Sequence, residues 1–194
     1  ITYDPNREEV IVPSCVANPQ IGMFARTADK NAAPTRRIVG QNSKLNRTVH
    51  GVAYDEIHDE IFASSQIGQA ILVFSGTQSG NVPPIRVIQG LKTQISVPEM
   101  VDVDPVHDEL FVPARDRVLV FNRTDSGNVA PKRILMVSAS RVAVDYVHNL
   151  LAVSGRGPRG GQIAIFDYNA EGNTMPLRVI SGPNAEPIGG LRHG

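Results

Sequence analysis

One block of residues recurs four times along this chain, and that repetition constrains the fold more than any other feature. The block is an apolar segment ending in Asp, then a tight turn and a second apolar segment: ITYDPNREEVIV from Ile1, VAYDEIHDEIFA from Val52, VDVDPVHDELFV from Val101 and VAVDYVHNLLAV from Val142. Next come an apolar segment ending in Phe, a polar turn, a Pro and, two residues later, an Arg. The recurring residues are Asp4, Asp55, Asp104 and Asp145; Phe24, Phe74, Phe121 and Phe166; Pro34, Pro84, Pro131 and Pro176; and Arg36, Arg86, Arg133 and Arg178. From Phe to Phe the spacing is 50, 47 and 45 residues, so the chain contains four copies of one structural unit.

Each unit contains four short segments rich in Val, Ile and Phe, which is typical of β-strands. In the second unit these segments are Gly51–Asp55, Glu60–Ser64, Ala70–Ser75 and Ile85–Gly90. The Pro that opens the fourth segment donates no backbone hydrogen bond, which places that segment at the edge of a sheet. Repeated four-stranded antiparallel units are the pattern of a β-propeller. The sequence therefore predicts an all-β fold, with one propeller domain over residues 1–194 and repeats at about 1–48, 49–97, 98–138 and 139–194.

These blocks resemble the NHL-type propellers, in which an inner strand ending in Asp precedes a second strand and then an apolar third strand ending in Phe. The resemblance covers essentially the whole chain, although the fourth-strand Pro and Arg are more regular here, as in a divergent subtype. It implies protein-binding modules, extracellular sensor domains or a few lyases. Because NHL-type rings usually have six blades, we favour four blades of a six-bladed propeller over a closed four-bladed ring. The similarity of residues 191–194 to residues 48–51 is compatible with either arrangement.

Propeller topology separates the loops into two sets. The loops joining strands one to two and three to four lie on one face, and they repeat almost unchanged in every unit. We therefore interpret His58, His107 and His148 as turn-stabilising side chains, and the repeated Arg as a packing and pairing residue. The loops joining strands two to three, and unit to unit, vary in length and composition. We call their side the variable face, and since nothing in the repeat constrains it, it is free to carry a binding site.

The variable face is predicted to be basic. Its cations are Lys44, Arg47, Lys92, Arg115, Arg117, Arg141, Arg156, Arg159 and Arg192, against the acids Glu99, Asp116 and Glu186. Most of the acids lie on the opposite face, where we expect Arg7 to be the chief residue that neutralises their charge. Field focusing on the variable face would favour an anionic ligand or a protein partner. The predicted ligand-binding residues are Arg115, Arg117, Arg156 and Arg159; local pairing of these charges is the alternative.

A second candidate site lies at the mouth of the central channel. His50 and His193 occupy matching positions just before an inner strand, where the other units have Glu99 and Ser140. Asp102 is the single acid on the predicted inward side of an inner strand. His50, Glu99, Asp102 and His193 could therefore hold a divalent metal, or act as a base with its orienting partner. A polar, water-filled channel mouth is the alternative.

Bulk composition narrows the function classes. Lys plus Arg and Asp plus Glu are both 19, so the net charge is zero and a nucleic-acid partner is not expected. Cys15 is the single cysteine, which excludes an internal disulfide, and no apolar run is long enough to span a membrane. We expect a non-enzymatic interaction module without a cofactor, extracellular, on a cell surface or periplasmic. Two alternatives remain: a metal-assisted lyase or hydrolase at the channel mouth, and a structural repeat of a larger extracellular assembly.

Overall fold

The computed structural model describes residues 1–15, 18–158, 160–182 and 185, and its architecture confirms the all-β prediction. Sixteen strands form four antiparallel sheets, each with its four strands in sequence order, and these sheets are the propeller blades I to IV. The strands are β1 (Thr2–Asp4), β2 (Glu9–Ser14), β3 (Gln20–Ala25) and β4 (Arg36–Val39) in blade I; β5 (Val49–Asp55), β6 (Glu60–Ser65), β7 (Ala70–Ser75) and β8 (Arg86–Gln89) in blade II; β9 (Asp102–Asp104), β10 (Glu109–Pro113), β11 (Val118–Asn122) and β12 (Arg133–Leu135) in blade III; and β13 (Arg141–Asp145), β14 (Leu150–Gly157), β15 (Gly160–Asp167) and β16 (Arg178–Ser181) in blade IV.

The apolar residues of each blade divide between its two faces, because alternate side chains of a strand point to opposite sides of the sheet. Ile61 and Phe74 of blade II pack against blade I, while Phe62 and Val73 of the same blade pack against blade III. A third cluster joins blade III to blade IV. The core of the protein therefore lies between the blades, in three layers.

The four repeated Phe residues occupy matching positions in the third strand of their blades. Phe74, Phe121 and Phe166 are buried, as the repeat predicts. Phe24 is only half-buried because no blade among the described residues covers its side of blade I. The burial of the repeated Phe thus depends on whether a preceding blade packs against it.

The repeated polar residues form the same network in successive blades. The inner-strand carboxylate of Asp55 accepts hydrogen bonds from the backbone N–H groups of Ile57 and His58, and it pairs with His58 Nδ1 at 2.8 Å. His107 and His148 pair with their own Asp in the same way, at 2.6 and 2.8 Å. This confirms that the histidines stabilise turns.

The repeated Arg begins the fourth strand of every blade, two residues after the Pro. Arg36, Arg86 and Arg133 are paired with the Glu that begins the second strand of their own blade: Glu9, Glu60 and Glu109. Blade IV has Leu150 at that place, and Arg178 is exposed with no ion pair among the described residues. The pairing role is confirmed in three blades and wrong in the fourth, where the acidic partner is missing.

The apolar layers join blades I and II, II and III, and III and IV, which are three interfaces rather than the four of a closed ring. Within the described residues no such layer joins blade IV to blade I. None of the helical segments in those same residues has the length and hydropathy of a membrane span.

Candidate functional site

The variable face carries a cavity of about 560 Å³ between blades III and IV. Its wall combines two arginines, one acid and three serines with small residues: Val97, Glu99, Arg115, Ser138, Ala139, Ser140, Ser154, Gly155, Arg156, Gly160 and Gly161. All of these residues come from the unrepeated loops or the adjoining strand ends. The cavity is therefore a feature of this one position and not of the repeat.

Hydrogen bonds between neighbouring loops fix the cavity wall. Ala139 N–H donates to the Arg115 carbonyl at 2.7 Å, and Ser140 N–H donates to the Ser154 carbonyl at 2.8 Å. The Arg156 N–H donates to Ser138 Oγ at 3.1 Å. At Gly155 a Cβ atom would lie 1.8 Å from the Ser138 carbonyl oxygen, so only glycine allows this close approach. Both arginine backbones are thus held in place.

A glycine-rich stretch over residues 155–161 predicts a flexible loop, but most of it is a hairpin. Strand β14 continues to Gly157 and β15 begins at Gly160, with Arg156 opposite Gly161 in register. In blade II the corresponding strands stop at Ser65 and Ala70. The longer hairpin of blade IV extends past its neighbours and forms one side of the cavity.

The structure brings two of the four predicted ligand-binding arginines together and separates the third. Arg115 and Arg156 both line the cavity, are exposed, and form no ion pair with any described residue. Arg117 instead pairs with Asp116 through two hydrogen bonds of 2.9 Å and donates to Gln94 Oε1. The Arg117 side chain lowers the pKa of Asp116 and is itself neutralised. Arg159 lies outside the described residues.

The acids of the opposite face are less available than the sequence suggests. Asp4, Asp55 and Asp104 are buried, and the three second-strand Glu residues are in ion pairs with the repeated Arg. The expectation that Arg7 is the chief partner of these acids is wrong, because the fourth-strand Arg of blades I to III pairs with the Glu of the second strand. The basic character of the cavity thus comes from Arg115 and Arg156 themselves, more than from a charge difference between whole faces.

The predicted metal ligands do not come together in the described part of the chain. His50 is exposed, and Glu99 lines the cavity. Asp102 accepts hydrogen bonds from the backbone N–H groups of Val103 and Val144, at 3.0 and 2.8 Å, and burial raises its pKa. His193 lies outside the described residues, and within them no three His, Cys, Asp or Glu side chains are grouped to hold a metal ion.

Asp102 acts as a link between blades, because its carboxylate belongs to β9 and the Val144 N–H to β13. Ala53 has the place of Asp102 in blade II and is buried in the layer between blades II and III, so this side of the inner strand does not face an open channel there. The alternation of residues along a strand specifies which side chains share a face of the sheet. It does not specify whether that face contacts a neighbouring blade or solvent.

Two polar residues that the repeat did not identify join neighbouring blades. Arg123 of blade III is buried and donates to Glu60 of blade II at 2.8 Å and to Asp108 of its own blade at 2.7 Å. The Tyr168 hydroxyl of blade IV donates to Asp104 of blade III at 2.7 Å. Both residues lie two positions after the repeated Phe of their unit. A polar side chain at that position is the sequence feature that could have indicated a contact between blades.

No family model matches the chain, and no curated protein matches it. Solved structures do: the chain is similar to a chain of Kuenenia stuttgartiensis hydrazine synthase (TM-score 0.64, 12% identity, 86% of this chain and 45% of that one). It is also similar to a chain of a nidogen/laminin complex (TM-score 0.62, 18% identity, 88% and 60%) and to the WD40 β-propeller domain of Doa1 (TM-score 0.59, 10% identity, 94% and 53%). The chain thus spans less than two thirds of the length of each. At these identities the similarity shows the fold alone, and that fold is a β-propeller.

Proposed function

We propose that the chain is a non-enzymatic binding module that takes an acidic segment of a protein partner at the cavity of the variable face. The observation that carries this proposal is that two arginines line one cavity and form no ion pair with any described residue. The charge balance at this site is simple: Arg115 and Arg156 are cationic, and Glu99 is the single acid among the described residues of the wall. A partner with two or more carboxylates can neutralise both arginines.

The serines of the cavity wall can add hydrogen bonds to the electrostatic attraction of the two arginines. Ser138, Ser140 and Ser154 line the same cavity, and a hydroxyl can donate to a carboxylate oxygen. A volume of about 560 Å³ accommodates several side chains of an extended segment rather than a whole folded surface. The similarity to a WD40 domain is compatible with a binding role, since propellers present loops on a rigid scaffold.

An acidic peptide tests this proposal directly. We would titrate a fluorescent hexaglutamate peptide into the protein and measure its dissociation constant from anisotropy at two salt concentrations. The screening length falls from about 10 Å at 0.1 M to about 3 Å at 1 M salt, so binding should weaken strongly at the higher value. Two exposed charges about 4 Å apart contribute roughly 1 kcal/mol in water, or about fivefold in affinity. Replacing Arg115 and Arg156 together with Ser should then raise the dissociation constant by about 25-fold.

Arg117 provides a matched control within the same loop. Its charge is already neutralised by Asp116, so Arg117→Ser should change the affinity by less than about twofold. Lys92→Ser alters an exposed cation on the same face but outside the cavity and should have an equally small effect. If all these variants lost affinity equally, or if binding ignored salt, the cavity would not be the recognition site.

A further inference from the structure

The variable face has a second depression, a groove of about 430 Å³ between the turn of β6 and β7 and the segment that follows β8. The described residues that line this groove are all uncharged. Two of them are large aliphatic residues in solvent, since Ile67 is 66% exposed and Leu91 is 97% exposed. Ile95 also lines the groove and is buried in the apolar layer between blades II and III. Because these two blades each lie between two other blades, the groove is formed entirely within the array.

The turn that carries Leu91 does not require an aliphatic residue, as blade I shows. The same turn follows the fourth strand there, with Gln41 at the place of Leu91. In both turns a hydroxyl donates to the carbonyl three residues earlier, from Ser43 at 2.6 Å and from Thr93 at 2.7 Å. Scattered apolar side chains are normal on a protein surface, whereas exposed apolar side chains grouped in a groove are typical of a binding site. Leu91 is therefore available for a contact with another molecule.

Hydrogen bonds fix the backbone on both sides of the groove. The Ile67 N–H donates to Thr48 Oγ1 at 2.9 Å, and Gln89 Nε2 donates to the Gly68 carbonyl at 2.8 Å. On the other side, the hydroxyl that closes the turn holds the backbone of Leu91. A site whose backbone is already ordered loses less conformational entropy when a ligand binds. The groove is thus preorganised for binding.

The groove shares a wall with the cavity of Arg115 and Arg156. Ser96 lines the groove, and the next residue, Val97, lines the cavity. The chain bends at Val97, whose φ of 49° is in the left-handed region and is unusual for a β-branched residue. Backbone strain of this kind is concentrated at binding sites. One extended ligand could therefore contact both depressions.

The span across the shared wall suits a short peptide. Gln94 lines the groove and Glu99 lines the cavity, and they are five positions apart, so their Cα atoms are separated by at most about 18 Å. An extended peptide advances about 3.3 Å per residue, so about six residues cover this distance. A carboxylate in the groove would lose hydration without gaining a cation, which favours an aliphatic side chain there.

We propose that the groove of Ile67, Leu91 and Ile95 binds a large aliphatic residue that flanks the acidic segment of the partner, within about six residues of its carboxylates. This inference rests on the proposed function, because the occupant of the groove is a continuation of the segment that Arg115 and Arg156 bind. The arginines select negative charge, and the groove distinguishes acidic segments with an aliphatic neighbour from those without one.

Two peptides that differ only at their ends test the groove. Each has hexaglutamate at its centre and a Ser-Gly-Ser spacer on both sides, followed by leucine in one peptide and by serine in the other. A three-residue spacer spans about 10 Å, and the symmetric design makes the direction of the bound peptide unimportant. Fluorescence anisotropy should give a dissociation constant about tenfold lower for the leucine peptide, because the groove removes a leucine side chain from water.

A variant with Leu91→Gln and Ile67→Ser should reduce this tenfold difference to less than about twofold, while the affinity of the serine peptide is unchanged. Glutamine is the residue that blade I has at the place of Leu91, so the turn is expected to be retained. Ile57→Ser is the matched control, because Ile57 is 58% exposed but lies on the opposite face, and it should leave the tenfold difference intact. Circular dichroism melts would verify that each variant is folded.

The outcomes separate this inference from the proposed function. Equal affinities of the two peptides, or a tenfold difference that persists in the groove variant, would overturn the inference. The variant with Arg115→Ser and Arg156→Ser should weaken both peptides by the same factor and leave their ratio near ten, since distant substitutions have additive effects. A serine peptide that ignores both salt and the arginine substitutions would contradict the proposed function, and two peptides that fail to bind would contradict both.

Discussion

Arg123 should be among the largest polar contributors to stability, and Arg123→Met tests this. Its side chain is 9% exposed and contacts Glu60 at 2.8 Å, Asp108 at 2.7 Å and Asp55 at 3.5 Å. Asp108 is 60% exposed, so that contact contributes only about 0–1 kcal/mol. The cost comes from Glu60 and Asp55, whose carboxylates are 11% and 0% exposed and would each lose a cation.

Removing one partner of a buried ion pair costs about 3–5 kcal/mol. Glu60 retains Arg86 and Asp55 retains His58, so we expect a loss at the lower end, about 3 kcal/mol in the free energy of unfolding. In a protein of this size that corresponds to a fall in Tm of roughly 6–12 °C. Urea unfolding followed by circular dichroism measures the free energy, and calorimetry measures Tm.

Blade I supplies a matched control for this prediction. Arg26 has the same place in its blade as Arg123, but it is exposed and has no preceding blade among the described residues. Arg26→Met should cost less than about 0.5 kcal/mol, because the ion pair of Arg26 with Glu8 is exposed. If both substitutions had the same effect, or if Arg123→Met cost less than about 1 kcal/mol, the stabilising role of the contact between blades would be refuted.

Two further predictions concern blade III. Tyr168→Phe removes the hydroxyl that donates to the buried Asp104, and it should cost about 1.5–3 kcal/mol in urea unfolding, against almost nothing for Tyr3→Phe at an exposed position. Although burial opposes ionisation, hydrogen bonds from Arg133 and Lys132 lower the pKa of Glu109 to about 2. Since the pKa is lower in the folded state, this stabilisation is present above the unfolded value near 4.5 and should be lost as the pH falls from there to about 2. Glu109→Gln should flatten the pH profile of the unfolding free energy in that window, and an unchanged profile would show that the pair does not contribute.

The repeated part of the molecule was predictable because the residues that specify its strands and turns act within their own blade. Alternation of apolar residues, the turn Asp and the edge Pro are local signals, and they specify strands, turns and sheet order correctly. The strands predicted for blade II differ from the observed ones by two residues or fewer at each end. The Asp–His turn pair, three residues apart, is local in the same sense.

The candidate site was predictable only in part. Topology indicated that Arg115, Arg117 and Arg156 lie on one face, because loops at one end of a propeller are neighbours. Which of them remain unpaired depends on contacts between segments: Asp116 and Gln94 hold Arg117, whereas the hairpin of β14 and β15 carries Arg156 to the cavity. Neither the direction of a side chain nor the length of a hairpin follows from the repeat.

The sequence alone determined the four blades, their strand order and the residues of the repeated polar network, since periodicity encodes what every unit needs. The tertiary structure decided what lies between units. It placed Asp102 on the Val144 N–H instead of in a channel, buried Arg123 between blades, and exposed Asp145 where Asp55 is covered. The physical reason is that burial and pairing depend on neighbours distant in sequence, so identical positions of one repeat differ in accessibility and charge balance according to which blade stands beside them.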